Sequence, residues 1–237
     1  MDTASDRTFN FCRRNQTHLF ADRRRCSHMT LIRAMTPADL DQVLEIDQQS
    51  FPVSWSKVTF LHELNENPNA DLGVVLKSQP VEEDSSGFGI IRRLRQPKTD
   101  DRVAAYAGMW IHGREAHIST IASHPNFRRQ GFGELMLISM IGRGIARGAD
   151  HVVLEVRISN IPAQTLYRKY EFAAIGFYPR YYHDNQEDAL YMVARPLDEN
   201  YLIRLRARAA LLAARLPFTD EFTGLHFEQV ISDGSKE

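Results

Sequence analysis

The amino-acid sequence predicts an α/β (α+β) chain, a mixed and mostly antiparallel sheet flanked by helices. Three features carry that reading. From Met29 onward, short β-branched runs alternate with stretches of helical period. The runs 103–111 and 116–123 flank a turn at His112-Gly113-Arg114, as neighbouring antiparallel strands do. A loop with two glycines at 128–133 then leads from the second of these strands into an amphipathic helix. The 237 residues are 43% hydrophobic and 25% charged, the composition of an ordinary globular protein of one to two domains.

Residues 1–28 read as a basic arm with six arginines (Arg7, Arg13, Arg14, Arg23, Arg24, Arg25) and no apolar period. They lack the apolar core and cleavage site of a signal peptide. Met29 opens a regular pattern that reads like a natural protein start. Residues 31–33 form a short strand. Thr36 caps a helix with Pro37 at its first position, and Leu40, Val43, Leu44 and Ile46 give that helix its apolar face. Residues 51–55 are a loop, 56–65 a second helix and 71–77 a strand. Prolines, serines and charges mark 78–102 as a surface loop or long hairpin tip. After the paired strands, 131–147 is helical with Leu135, Ile138 and Ile141 in step, and Gly148 caps it. Strand 151–156, helix 161–170 and strands 172–178 and 188–194 follow. Residues 198–216 are a final helix with Leu202, Leu205, Ala209, Leu212 and Leu216 on one stripe and Arg204, Arg208 and Arg215 largely off it. Residues 217–237 read as a loosely ordered tail.

Composition excludes several functions. No run of about 18 apolar residues is present to span a membrane. A net charge of −1 argues against bulk binding of nucleic acid, although the arginine-rich final helix leaves RNA docking open beside a plain solvated face. The two cysteines, Cys12 and Cys26, both lie in the arm, which predicts no disulfide framework and a reducing, cytoplasmic setting. His112, His117 and His124 are scattered over strands and a loop, so no metal site is expected.

The strongest chemical signal is Arg128-Arg129-Gln130-Gly131-Phe132-Gly133, an Arg-x-x-Gly-x-Gly loop between strand and helix. Glycines allow close backbone approach, and free N–H groups at a helix start attract an anion. The two arginines add positive charge, so the loop reads as a phosphate or pyrophosphate cradle. It is neither the dinucleotide fingerprint nor a P-loop, because it follows antiparallel strands and lacks Lys-Ser/Thr.

This loop resembles the coenzyme A pyrophosphate loop of the GNAT acetyltransferase superfamily. Leu154-Glu155-Val156-Arg157-Ile158-Ser159-Asn160 with Leu166-Tyr167 is similar to the LEVR-x-SN…LY run of bacterial ribosomal-protein-alanine N-acetyltransferases. Phe51-Pro52-x-x-Trp55 is similar to that family's first substrate loop, and Tyr181-Tyr182 with Glu187-Asp188-Ala189 to its YY…EDA segment. The resemblance covers about residues 29–195, one GNAT domain with a 78–102 insertion, followed by a 196–237 extension.

The resemblance implies acetyl-CoA as cosubstrate, no metal, and direct transfer in a ternary complex. The implied acceptor is a protein N-terminal amine, such as an N-terminal alanine of a ribosomal protein; a small amine, a lysine or a non-catalytic coenzyme-binding module are the alternatives. It implies Glu155 as general base, and a carboxylate on an apolar strand does need a purpose or a partner. A structural salt bridge, for instance to Arg157, is the other role open to it. Tyr167 is implied as general acid, against a packed tyrosine with a bonded hydroxyl. Asn160 is implied on the pantetheine arm, against a plain cap before Pro162. Coenzyme contacts fall on residues 128–134, Glu134 included, and on Ile121, Ala122 and Ser123, where a backbone N–H of any residue type can face the acetyl oxygen. Phe51, Trp55, Tyr181 and Tyr182 are implied beside the acceptor, with core packing as the other reading of Phe51 and Trp55. One departure stands out: the family has Leu-Gly-Phe where this chain has Tyr170-Glu171-Phe172, which puts Glu171 where glycine serves a left-handed cap.

Overall fold

The computed structural model describes residues 30–80, 99–225 and 227. The arm 1–28 with Cys12 and Cys26, residues 81–98 of the inserted loop, and most of 226–237 lie outside the described residues.

The chain order is β1 (Thr30–Ala34), α1 (Leu40–Ser50), α2 (Lys57–Asn65), β2 (Ala70–Pro80), β3 (Thr99–His112), β4 (Glu115–Ser123), α3 (Phe132–Ala146), β5 (His151–Arg157), α4 (Ile161–Lys169), β6 (Ala173–Tyr182), β7 (Glu187–Ala194), α5 (Glu199–Ala213) and β8 (Phe218–Asp220). Among the described residues the strands form one sheet in the order β6-β7-β5-β4-β3-β2-β1-β8. The β4–β5 and β1–β8 pairs are parallel and the others antiparallel. The predicted α/β class with a mixed, mostly antiparallel sheet is therefore observed.

Local chemistry explains the helix starts. Ser56 accepts from the Thr59 N–H at 3.0 Å, Asn160 from Ala163 at 3.2 Å and Asp198 from Tyr201 at 2.8 Å, each satisfying a donor that a helix leaves unpaired. Before α1, the Asp39 carboxylate accepts from the Thr36 N–H at 2.8 Å and pairs with Arg33 at 2.7 Å. At the end of α3, Gly148 takes φ 85, the left-handed cap its sequence position predicts.

Two cores flank the sheet. Leu40, Val43, Ile46 and Phe60 of α1 and α2 cover one face. On the other face α3 is apolar nearly all round, because the sheet covers one side of it and Leu205, Ala209 and Leu212 of α5 cover another.

Two expectations are corrected and a third, left open between two readings, is narrowed. The segment 217–237 is not simply a loose tail: Phe218–Asp220 adds a parallel strand to β1, and Phe222 and Phe227 are buried in the α3 core. A three-residue strand carries too little period to be seen in sequence, and neighbours distant in the chain supply its pairing. Of the two readings of 78–102, the hairpin is the one its ends adopt: β2 runs through Pro80 and β3 begins at Thr99, paired antiparallel. The strand read as 172–178 extends to Tyr182, and the tyrosine pair lies at its end.

A β-bulge positions the site. Gly108 pairs with Thr120 and Met109 with Ile118, so Ser119 is the extra residue. Its hydroxyl donates to the Gly108 carbonyl at 3.2 Å. The bulge changes which face each side chain meets: Ala116 and Ile118 join the α3 core, whereas Ala122 joins the α1–α2 core. Bulged strands bend, and β4 parts from β5 just before this point. Their parallel pairing ends at His117–Val153, and beyond it the two strands separate.

Candidate active site

The separation of β4 and β5 opens a groove of about 260 Å³. Its walls include Ile118, Ser119, Thr120 and Ile121 from β4, and Leu154, Glu155, Val156 and Arg157 from β5. Asn160 and Tyr167 of α4, Phe51 and Trp55 of the loop after α1, and Tyr181 and Tyr182 of β6 complete it. The sequence-predicted catalytic and acceptor residues thus meet in one place, contributed by segments more than 100 residues apart. Ile121 lines the groove, but Ala122 packs into the α1–α2 core and Ser123 lies against Gly133.

Glu155 is largely buried, its side chain 13% exposed, and its carboxylate accepts from His117 Nε2 at 2.7 Å. Strand alternation predicts this face: Leu154 and Val156 turn into the α3 core, so Glu155 turns the other way. Arg157 is not its partner. The guanidinium instead holds Asp184 at 2.7 Å and Glu187 at 3.1 Å, tying down the β6–β7 turn. The hydrogen bond that His117 donates to Glu155 raises the His117 pKa above the ordinary histidine value, with burial opposing it. His117 is thus no scattered histidine; sequence reasoning missed it because β4 and β5 become neighbours only through the fold.

Tyr167 is 6% exposed and its ring packs on Phe172 at 5.8 Å. The ring is therefore packed, as its alternative reading has it, and among the described residues its hydroxyl makes no hydrogen bond. Burial pushes its pKa well above the ordinary tyrosine value, so it keeps its proton at neutral pH. Asn160 both caps α4 and lines the groove, so its two readings are compatible.

The 51–55 wall of the groove is built on a buried carboxylate. Asp47 of α1 accepts from the Trp55 N–H at 2.7 Å and from the Tyr106 hydroxyl, which pins the 51–55 loop. Burial raises the Asp47 pKa, against those two hydrogen bonds. Trp55 also stacks on Trp110 at 6.1 Å, so it serves packing and groove together. Opposite, Tyr182 lies under the Arg157 guanidinium at 3.8 Å and edge-on to Tyr181 at 5.1 Å. Asp188 accepts from the Arg180 N–H at 2.7 Å and Glu187 from Ser159 at 2.8 Å, giving those acidic residues structural work.

At the far end of β4 the Arg-x-x-Gly-x-Gly loop turns into α3. Gly131 takes φ 98, which favours glycine, and a Cβ on Gly133 would lie 2.7 Å from the Ser123 hydroxyl, which would have to turn away to admit it. The N–H groups of the first turn lack intrahelical acceptors. Arg128 reaches back to Ser50 at 3.3 Å, Arg129 is exposed, and Phe132 is buried rather than available to a ligand. Lys169 and Arg215, the latter from beyond α5, both pair with Glu134. Cations and free amides around a left-handed glycine fit a phosphate group. Among the described residues no group of three or more His, Cys, Asp or Glu could hold a metal ion, and no helix is long and apolar enough to cross a membrane.

Comparison with known proteins agrees with this geometry. The profile of the Acetyltransferase (GNAT) family matches residues 40–172. A Bacillus subtilis (strain 168) protein named as a candidate ribosomal protein bS18-alanine N-acetyltransferase is 37% identical over 161 residues, covering 68% of this chain and 92% of that one. An N-alpha-acetyltransferase of Sulfolobus acidocaldarius is 30% identical over 167 residues, 70% of this chain and 92% of the other. The crystal structure of the ribosomal-protein-S18-alanine N-acetyltransferase from Escherichia coli superimposes with a TM-score of 0.55 at 26% identity, covering 71% of this chain and 94% of that one.

Proposed function

The chain belongs to the GNAT acetyltransferase family, acyltransferases that take acetyl from acetyl-CoA, and from that premise we propose that its acceptor is a protein N-terminal amine, alanine foremost, as in a ribosomal protein. The observation that carries the proposal is the groove itself. It holds a carboxylate and, among the described residues, a tyrosine hydroxyl without a hydrogen bond, between two aromatic walls.

In the proposed step the neutral amine attacks the thioester carbon, the new C–N bond forms and the C–S bond breaks. Glu155 takes the amine proton, directly or through water, and Tyr167 gives its proton to the departing sulfur. The pyrophosphate rests on the N–H groups of the 131–134 turn, with Arg128 and Arg129 alongside. Asn160 meets the pantetheine arm. Past His117 the β4 backbone through Ser123 is paired to β3 but no longer to β5, and its freed edge offers N–H groups to the acetyl oxygen. Phe51, Trp55, Tyr181 and Tyr182 form a slot for an extended N-terminus. The transfer is direct, with amine and thioester bound together.

The test is a panel with acetyl-CoA: a peptide starting with alanine, the same peptide N-blocked but carrying a lysine, and a polyamine. Products are located by mass spectrometry. Acetylation of the free N-terminus, lost in Glu155→Gln by about 100-fold or more, is expected. Acetylation confined to lysine or polyamine overturns the N-terminal assignment.

A further inference from the structure

We propose that His117 is a positioning residue for acetyl transfer: it grips one oxygen of Glu155 so that the other faces the acceptor amine. This rests on Glu155 being the base.

The geometry is specific. His117 is the last β4 residue paired to β5, opposite Val153, and Glu155 lies two residues further along β5 on the same face. The two side chains meet at 2.7 Å across the point where the strands part. Among the described residues, His117 is the hydrogen-bond partner of the Glu155 carboxylate. A carboxylate can only accept, so Nε2 carries the hydrogen. On its other side the imidazole meets the Trp110 ring edge-on at 5.8 Å, and Trp110 is itself fastened by its N–H to Glu63 at 2.8 Å. The ring is thus clamped between a bonded indole and the base, with its side chain 22% exposed.

The arrangement makes the base respond to pH. Glu155 and, at longer range, Glu115 favour the charged imidazolium, so His117 titrates above the ordinary histidine value. Tyr181, Tyr182 and Tyr191 also lie near Glu155, and all three stay neutral across this range, their pKa values being raised. His151 binds Glu115 at 3.1 Å and tempers its influence. Below the His117 pKa the charged imidazolium competes with the amine proton for the Glu155 oxygens. Above it, neutral His117 still donates one hydrogen bond through Nε2 and leaves the other oxygen to the amine.

The experiment compares the wild type, His117→Gln and His117→Phe on one N-terminal peptide from pH 5.5 to 9. Glutamine can offer an N–H near the place of Nε2 but does not titrate. The expected wild-type to His117→Gln ratio of kcat/KM approaches one at high pH and falls several-fold on the acid side. The amine's own titration cancels in that ratio. His117→Phe is expected to lose about 10- to 100-fold in kcat at every pH while acetyl-CoA affinity holds. A ratio flat with pH, or a phenylalanine variant as active as the glutamine one, overturns the inference. Glu155→Gln separates the two levels. If it is inactive while the ratio is flat, only the role of His117 fails; if it is fully active, the base assignment fails first. Should His117→Phe not fold, the glutamine ratio decides alone.

Discussion

Glu171 sits at φ 66, and the Arg204 guanidinium donates to both of its carboxylate oxygens, at 2.9 and 2.8 Å. This is the position where the family pattern has glycine after the tyrosine helix. The left-handed conformation is kept without glycine, and α5 supplies the compensation. Arg208 adds a contact at 2.9 Å, and the Tyr201 hydroxyl donates to the neighbouring Tyr170 carbonyl at 2.8 Å. Two of the arginines that left RNA docking open in the sequence thus face a carboxylate of their own chain.

Glycine and alanine at 171 separate strain from pairing. A non-glycine residue in the left-handed region costs about 1–2 kcal/mol. Glu171→Gly loses the ion pairs but relieves the strain, and is expected to melt close to wild type. Glu171→Ala loses the pairs and keeps the strain, so it should melt lowest, about 2–4 °C below the glycine variant. The hydrogen bond from Arg204 holds the Glu171 pKa below the ordinary carboxylate value. The pairing therefore contributes above that ordinary value and is lost as pH falls through the lowered one. The gap between wild type and Glu171→Ala should shrink in that acid window. Melting curves across pH check both statements.

Charge at the α3 loop is testable without touching its glycines. Gly131→Asp would confound the result, because φ 98 and Leu212 at 3.2 Å from a new Cβ threaten the fold itself. Arg128→Glu with Arg129→Glu changes two exposed side chains instead. Coenzyme A affinity by calorimetry should fall about tenfold or more, a change of about 1.4 kcal/mol. High salt should narrow the difference. Unchanged affinity would remove the pyrophosphate from this loop.

Tyr167→Phe should slow acetyl transfer and leave coenzyme affinity intact. The hydroxyl makes no hydrogen bond among the described residues, so its loss breaks none there, while the packed ring is kept. A thioester with a more acidic thiol needs less protonation on leaving. It should recover much of the deficit, and equal losses with both donors would reject the acid role.

What the sequence determined by itself was local. Thr36-Pro37, Ser56, Asn160 and Asp198 mark helix starts because caps act within a few residues, and Arg-x-x-Gly-x-Gly marks its turn because glycine's freedom is local too. The LEVR-x-SN…LY run brought Glu155, Asn160 and Tyr167 forward on family likeness, and all three line one groove. Only the tertiary structure decided their partners. The bulge at Ser119 switches the buried face of β4, which two-residue alternation cannot foresee. The meeting of β4 and β5 hands Glu155 to His117, the pairing of β5 with β7 hands Arg157 to Asp184, and the return of residues 218–220 to β1 turns part of a tail into an edge strand. Each of these joins residues far apart in the chain. Their energies depend on long-range pairing and burial, which no local pattern encodes.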